Sequence, residues 1–381
     1  MGRTGASPVL PGALAGRVAA LERAMDNMIS KEVTFAAETP VLVTGAAGFI
    51  GAKVVESLLA HGLRNIRCLV RPSGNAAKLE KLQSDLEGKA HLEIVRGNLL
   101  SNEDCIAMTK DVAIVYHLAA GTGEKSYPDA FMNSVVTTRN LLEGCLRHRS
   151  LKRFVSISSF AVYSNRNKRV KNLLDETSPV EERPVVRGEA YCYAKLKQDE
   201  LIIDYGKKHG IPYVLLRPGV VYGPGKIAIS GRVGRDPFGI FLHFGGSNKI
   251  PFTYVDNCAD AIVLAGIVEG VDGEVFNIVD DDLPSSRSFL RAYKKKAKRF
   301  RSVYVPHALS YLLCYLWEKY SAWSHGQLPP VFNRPTWHAN WKSTLYSNQK
   351  LKSRLGWQQK VPTGEGMNRF FEACRQKEVH A

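Results

Sequence analysis

The stretch Pro40-Val41-Leu42-Val43-Thr44-Gly45-Ala46-Ala47-Gly48-Phe49-Ile50-Gly51 constrains the fold more than any other. Pro40 to Val43 is a short apolar run of the kind that fills a buried parallel strand. It breaks into glycines, and apolar residues then recur at helical spacing: Phe49, Ile50, Val54, Val55, Leu58 and Leu59. Gly45 permits a tight bend, Gly48 lets a pyrophosphate reach the backbone, and Gly51 lets helix pack close to strand. The helix N-terminus then offers free N–H groups and partial positive charge to the phosphates. The spacing is G-x-x-G-x-x-G rather than the commoner G-x-G-x-x-G, and an ordinary strand-turn-helix needs no ligand. The flanking strand and helix favour dinucleotide binding, with Ala47, Phe49 and Ile50 joining the three glycines around the cofactor.

From Pro40 onward strand and helix alternate. Strands are predicted over 40–44, 65–70, 91–95, 112–117, 152–157 and 212–217, and helices over 48–61, 76–86, 101–109, 128–149 and 189–209. Crossovers of this kind return the chain over a parallel sheet and cover both its faces. The fold class is therefore α/β: a doubly wound parallel sheet (Rossmann fold) with a smaller C-terminal substrate-binding lobe. Residues 1–38 read as a disordered extension, with a short helix over 13–29 at most. Arg17 interrupts any signal-peptide core, and Ala6 stands where myristoylation needs Ser or Thr. Residues 39–222 form the cofactor-binding domain with the reactive residues. Residues 223–381 are mainly the substrate lobe, with about 250–280 returning to the first domain. Long loops over 164–188 and 223–250 are places to build a pocket.

Seven scattered cysteines without a C-x-x-C pair argue for free thiols in a reducing, cytoplasmic setting and against a metal site. The net charge of +16 calls for anionic partners. Arg287 to Arg301 carries eight basic residues and no acid, but no nucleic-acid-binding motif accompanies it, so nucleic acid is not expected. The aromatic segment 303–323 has too short an apolar core to span a bilayer. A packed helix of the C-terminal lobe is favoured there over an interfacial one.

A dinucleotide fold reads the adenosine ribose about 20 residues beyond the last glycine. Here that place holds Arg71 and no carboxylate, which favours NADP over NAD. Asn98 and Leu99 follow the third strand, and Leu118, Ala119 and Ala120 close the fourth, so small residues line the cofactor's path. The reactive set is Ser158-Ser159 after strand five and Tyr191-Cys-Tyr-Ala-Lys195 on the next helix. Tyr and Lys at i, i+4 share a helix face. A nearby ammonium is expected to lower the phenol pKa, so that Tyr191 can pass a proton to or from a substrate oxygen that a serine also binds. Tyr193 and Lys197 have the same spacing, so spacing alone leaves two pairs open.

From Thr39 to about residue 376 the chain resembles the extended short-chain dehydrogenase/reductases of the NAD-dependent epimerase/dehydratase type. The resemblance is carried by T-G-A-A-G-F-I-G at 44–51, H-L-A-A at 117–120, Asn133 and S-S-F-A-V-Y at 158–163. It continues through Y-C-Y-A-K at 191–195, R-P-G-V-V-Y-G-P at 217–224 and Y-V-D-N-C-A-D-A at 254–261. It implies that Ser159, Tyr191 and Lys195 are the catalytic set, and that the turn of Pro218, Gly219 and Val220 lies beside the nicotinamide. Asn98 replaces the family's usual aspartate, and Ala194 its usual Ser or Thr. Many nucleotide-sugar members carry a diphosphate-binding arginine where this chain has Ile250. The stretch 245–257 looks closer to the 3β-hydroxysteroid dehydrogenase-like branch, which also tends to carry an aromatic, membrane-facing C-terminal helix.

The leading expectation is thus an NAD(P)-dependent oxidoreductase acting on an apolar secondary alcohol or ketone, a homodimer with peripheral membrane contact through 287–323. Dimerisation through the helices at 128–149 and 189–209 is what the resemblance implies. The rival is a nucleotide-sugar epimerase or dehydratase. A catalytically idle redox sensor is a third possibility, against which the intact Ser159, Tyr191 and Lys195 argue.

Overall fold

The computed structural model describes residues 35–121, 126–165, 172–226, 228–236, 239–325, 327 and 332–379. Most of the extension expected over 1–38, with its short helix, lies outside them. Phe35 already packs on the core and the Ala37 carbonyl accepts from the Arg64 N–H, so ordered structure begins ahead of Thr39.

All six expected strands form, as do four of the five expected helices, and the fifth is divided in two. They are β1 (Val41–Thr44), α1 (Phe49–Ala60), β2 (Asn65–Val70), α2 (Ala77–Asp85), β3 (His91–Arg96), α3 (Asn102–Thr109) and β4 (Ile114–His117). There follow α4 (Tyr127–Phe131), α5 (Thr137–His148), β5 (Arg153–Ile157), α6 (Ala190–His209) and β6 (Tyr213–Pro218). The single helix expected over 128–149 is interrupted. Met132–Val136 runs as a π turn between α4 and α5, where an extra residue enters the helix.

The C-terminal part adds β7 (Val220–Tyr222), β8 (Phe241–His243), β9 (Phe252–Tyr254), α7 (Val255–Ile267), β10 (Val275–Ile278), α8 (Ser286–Lys296) and β11 (Ser302–Tyr304). It ends with α9 (His307–Trp323), α10 (Arg334–Asn340), α11 (Gln349–Leu355) and α12 (Thr363–Val379). β10, not expected as a strand, pairs parallel with β6 and completes a seven-stranded sheet in the order β10-β6-β5-β4-β1-β2-β3. β1 stands where the order reverses, so a crevice opens between the C-terminal ends of β1 and β4.

Strand alternation explains burial on both faces. Val41, Val43, Ile114 and Tyr116 meet α1 and α7 on one side of the sheet. Leu42, Val115, Phe154 and Leu215 meet α3, α5 and α6 on the other. β8 and β11 pair in the smaller lobe, and β9 pairs with β7 close to the end of β6.

The segment 303–323 holds the expected helix of the C-terminal lobe, but α9 packs by one side only, against α10. Only Ser310, Cys314 and Ser321 of α9 are buried, and its leucines face outward. The reason is sequence register: Ser310, Cys314, Ser321 and the rings of Tyr311 and Trp317 meet the lobe, while the leucines fall on the far side.

Candidate active site

The glycine loop is built as a phosphate cradle. Gly45 has φ +69°, and a Cβ there would come within 3.0 Å of the Ala119 nitrogen. At Gly51 a Cβ would stand 2.1 Å from the Gly45 carbonyl oxygen, so no side chain fits between helix and strand. Gly48 caps α1 without a side-chain bond, and the first turn of α1 holds no acid. The N–H groups of that turn are thus left to a ligand, and the dipole favours an anion. Ala47, Phe49 and Ile50 are half-buried along this cradle, as are Leu118, Ala119 and Ala120 at the end of β4. These residues fit a dinucleotide pyrophosphate.

Arg71 is exposed at the end of β2 and makes no ion pair among the described residues. A second cation stands beside it. Arg96, at the end of β3, donates to the Pro72 and Gly74 carbonyls at 3.0 and 3.1 Å. Asn98 is exposed, and its Oδ1 accepts the Leu100 N–H at 3.0 Å, leaving the amide N–H groups outward. Leu99 is buried beneath it.

The two serines after β5 divide their work. Ser158 is buried and donates to Asp199 at 2.9 Å, while Arg217 binds the same carboxylate at 3.1 Å. Burial raises the Asp199 carboxyl above its usual range, against the pull of Arg217 and Ser158. Ser159 instead opens on a cavity of about 440 Å³, together with Tyr191, Gly219 and Val220. The rival pair is elsewhere. Tyr193 packs edge-on against Tyr127 at 5.3 Å, and the Lys197 ammonium pairs with Glu200 at 2.6 Å on the outer face of α6.

The expected lowering of the Tyr191 pKa is corrected by the structure. Burial raises the phenol above its ordinary value, more than its hydrogen bond with Ser159 lowers it. The Lys195 ammonium points its hydrogen bonds at other groups. It donates to the Ile157 carbonyl at 2.6 Å and to Gln198 Oε1 at 2.8 Å. Burial brings the Lys195 amine down to about 8, against the pull of Asp199.

Gln198 begins a buried chain that the sequence did not reveal. Its amide donates to Thr138 Oγ1 at 2.7 Å, which also bonds His117 Nε2 at 2.8 Å. His117 Nδ1 bonds Thr44 Oγ1 at 2.8 Å, and Thr44 Oγ1 accepts the Ala119 N–H at 3.2 Å. Burial drives the His117 pKa down to about 3, so the ring is neutral. Because Thr138 Oγ1 donates to the Ser134 carbonyl, His117 Nε2 carries the proton and Nδ1 accepts from Thr44. The chain ties Lys195 to the strand ends that bear the glycine loop. The signal available in the sequence was the i, i+3 spacing of Lys195 and Gln198.

The far wall of the cavity is polar and basic. Arg187 is buried there, paired with Glu189 at 2.7 Å and bonded to the Tyr163 carbonyl. Arg232 donates to the Ala339 carbonyl at 2.8 Å, and Arg235 lies over the Phe332 ring at 5.3 Å. Neither Arg232 nor Arg235 pairs with a carboxylate among the described residues. Ile250 is core, and the neighbouring Lys249 donates to the Leu283 carbonyl.

Residues 41–278 match the model of the NAD dependent epimerase/dehydratase family. An uncharacterized UDP-glucose epimerase of Bacillus subtilis is 31% identical over 256 residues, 62% of this chain and 76% of that protein. A trifunctional UDP-glucose 4,6-dehydratase/epimerase/reductase of Arabidopsis thaliana is 26% identical over 87% of this chain, which spans only 46% of that protein's length. An Arabidopsis 3beta-hydroxysteroid-dehydrogenase/decarboxylase is 24% identical over 87% of this chain and 61% of its own. Among solved structures, the UDP-glucuronic acid 4-epimerase of Bacillus cereus in complex with NAD superposes with a TM-score of 0.64. It is 24% identical and covered over 99% of its length by 89% of this chain, a likeness that bears on the fold.

Proposed function

The chain belongs to the NAD dependent epimerase/dehydratase family, and on that premise we propose that it moves a hydride between a nicotinamide cofactor and a substrate secondary alcohol or ketone. The bound nicotinamide supplies the hydride acceptor or donor. Tyr191 gives or takes the proton at the substrate oxygen, and Ser159 holds that oxygen by a hydrogen bond. Lys195 stands beneath, fixed by Gln198 and the Ile157 carbonyl, with Asp199 and Arg217 bracing the strand ends around it. The observation that carries this reading is the meeting of Ser159 and Tyr191 in one cavity with the Gly219–Val220 turn. The glycine cradle with Leu118, Ala119 and Ala120 holds the dinucleotide. Arg71 and Arg96, two cations at adjacent strand ends, support NADP as the preferred form. Pairing through α4–α5 and α6 into a homodimer belongs to the same reading.

For the substrate, Arg232 and Arg235 favour a molecule with an anionic group, and a nucleotide sugar is that kind of molecule. They supply cations from a loop other than the one that holds Ile250. The apolar-alcohol reading is kept alive by a specific observation, the buried Ile250 where nucleotide-sugar members carry arginine. A panel of UDP-sugars and apolar ketones separates the two, with nicotinamide absorbance followed throughout. Arg232→Ala combined with Arg235→Ala is expected to raise KM for the anionic substrate about tenfold, as loss of charge-assisted hydrogen bonds requires. An unchanged KM, with turnover of an apolar ketone, moves the assignment to the second reading. Net release of reduced cofactor marks an oxidoreductase, and its absence during conversion marks an epimerase.

A further inference from the structure

We propose that α9 and the basic stretch before it form a docking face for an anionic lipid surface. The proposal rests on the outer face of the lobe alone and holds whatever the substrate. Leu309, Leu312, Leu313, Leu316, Tyr320 and Trp323 are each 47–74% exposed. At 100° per residue these six fall in one stripe about 100° wide. Ser310, Cys314 and Ser321, which meet the lobe, lie about 130° round the helix. The helix thus turns its leucines to the outside, while Ser310, Cys314 and Ser321, with Tyr311 on Trp337 at 5.1 Å and Trp317 on Phe332 at 6.1 Å, face the protein. Val303 and Tyr304 of β11 extend the exposed apolar surface beyond the helix start.

Charge selects the occupant. Between Asp282 and Glu365 the sequence carries one carboxylate side chain, Glu318, and Arg334 pairs with it at 2.8 Å. On α8, Phe289, Leu290 and Tyr293 are buried, while Arg287, Arg291 and Lys295 face outward. The two surfaces join: the Arg287 guanidinium lies over the exposed Tyr304 ring at 5.4 Å. An apolar stripe bordered by cations, with aromatic rings among the leucines, matches the acyl boundary and headgroups of an anionic leaflet. A second copy of the chain fits poorly, because a symmetric contact sets the same basic stretch against itself. No helix among the described residues is long and apolar enough to cross a membrane, so the contact is peripheral. α9 also packs on α10, where Trp337 donates to Ser310 at 2.8 Å and Asn340 lines the catalytic cavity. The lipid face is therefore one helix away from the cavity wall.

The test is co-sedimentation of the full chain with phosphatidylcholine vesicles, with and without roughly one-third phosphatidylserine. The chain is expected to sediment with the anionic vesicles at low salt, about tenfold less at high salt, and not with neutral ones. Trp323 emission should shift to the blue on binding. Leu312→Asp with Leu316→Asp, and separately Arg291→Glu with Lys295→Glu, should each cut binding at least tenfold. These side chains are exposed, so melting temperature should not move and serves as the control for folding. Absence of sedimentation with anionic vesicles overturns the proposal, and so does wild-type binding by both variants. Self-association that the leucine variant abolishes, without vesicle binding, assigns the face to a second copy and overturns it too.

Discussion

Tyr191 and Lys195 sit one helical turn apart, yet different neighbours hold them. Tyr191→Phe removes only the hydroxyl, so turnover should fall roughly a hundredfold or more while cofactor affinity stays within a few-fold. Steady-state rates beside a cofactor titration check this. Gln198→Leu takes one buried partner each from the Lys195 ammonium, which keeps the Ile157 carbonyl, and from Thr138, which keeps His117 and the Ser134 carbonyl, and should cost about 1–3 kcal/mol of stability in a denaturant melt. Arg71→Asp should reverse preference from NADP(H) toward NAD(H), read as the ratio of the two dissociation constants. A wild type that already prefers NAD(H) removes Arg71 from the site. Asp280 gives a pH signature. It is buried, accepts from the Tyr254 N–H at 2.9 Å, and its carboxyl is pushed up to about 7. Above its unfolded value of about 4 the native state binds the extra proton, so stability from this group is lost as pH rises toward 7. Lys195, near 8, acts the other way at higher pH, since there the unfolded chain holds the proton longer. His117, held neutral in the native state, opposes the Asp280 effect up to its unfolded value of about 6.5, so that effect is read as the difference between wild type and Asp280→Asn in thermal melts from pH 5 to 8. Residue type and spacing offered Ser159, Tyr191 and Lys195 but left Tyr193 and Lys197 open beside them; the choice came from the resemblance, and the cavity that Ser159 and Tyr191 share supports it. Gln198, Thr138 and His117 were not legible as a set, because a buried chain that crosses three elements leaves no local pattern. The raised phenol of Tyr191 was hidden for the same reason: whether an ammonium or burial dominates depends on where Lys195 points.

Among the elements, the glycine turn was the most readable, since a Cβ on Gly51 would stand 2.1 Å from the Gly45 carbonyl oxygen and only glycine fits there. Gly51→Ala should push α1 away from β1, weaken cofactor binding at least tenfold, and cost about 1–3 kcal/mol in stability. Cofactor titration and a melt measure the two separately. β1 to β6 were legible because apolar runs between helical patterns have few other uses. β10 was missed as a strand, because Val275-Phe-Asn-Ile278 is short and its asparagine interrupts the run; pairing with β6 buries Asn277 all the same. The π turn at Met132–Val136 carries no sequence mark, and residues on both sides of it keep ordinary helical character. The one-sided packing of α9 was hidden for a different reason. Its composition suits a core helix, but only the tertiary contacts of Ser310, Cys314 and Ser321 reveal which face turns inward.

At the scale of the whole molecule, a parallel sheet with its order reversed at β1 sets the cofactor crevice on one side of the reactive helix. The C-terminal lobe closes the other side with a basic cavity wall. A homodimer through α4–α5 and α6 is expected by light scattering at micromolar concentration, and a monomer there contradicts that arrangement. Seven buried free thiols fit a chain that needs no disulfide to hold its core. The central claim is that Tyr191 moves the substrate proton in a cavity beside a bound nicotinamide. The direct measurement is nicotinamide absorbance in a single turnover with the substrate the panel identifies, wild type against Tyr191→Phe, at matched cofactor occupancy. The account predicts a cofactor redox signal in the wild type that slows at least a hundredfold in the variant. Equal rates in the two proteins, with cofactor bound in both, contradict it.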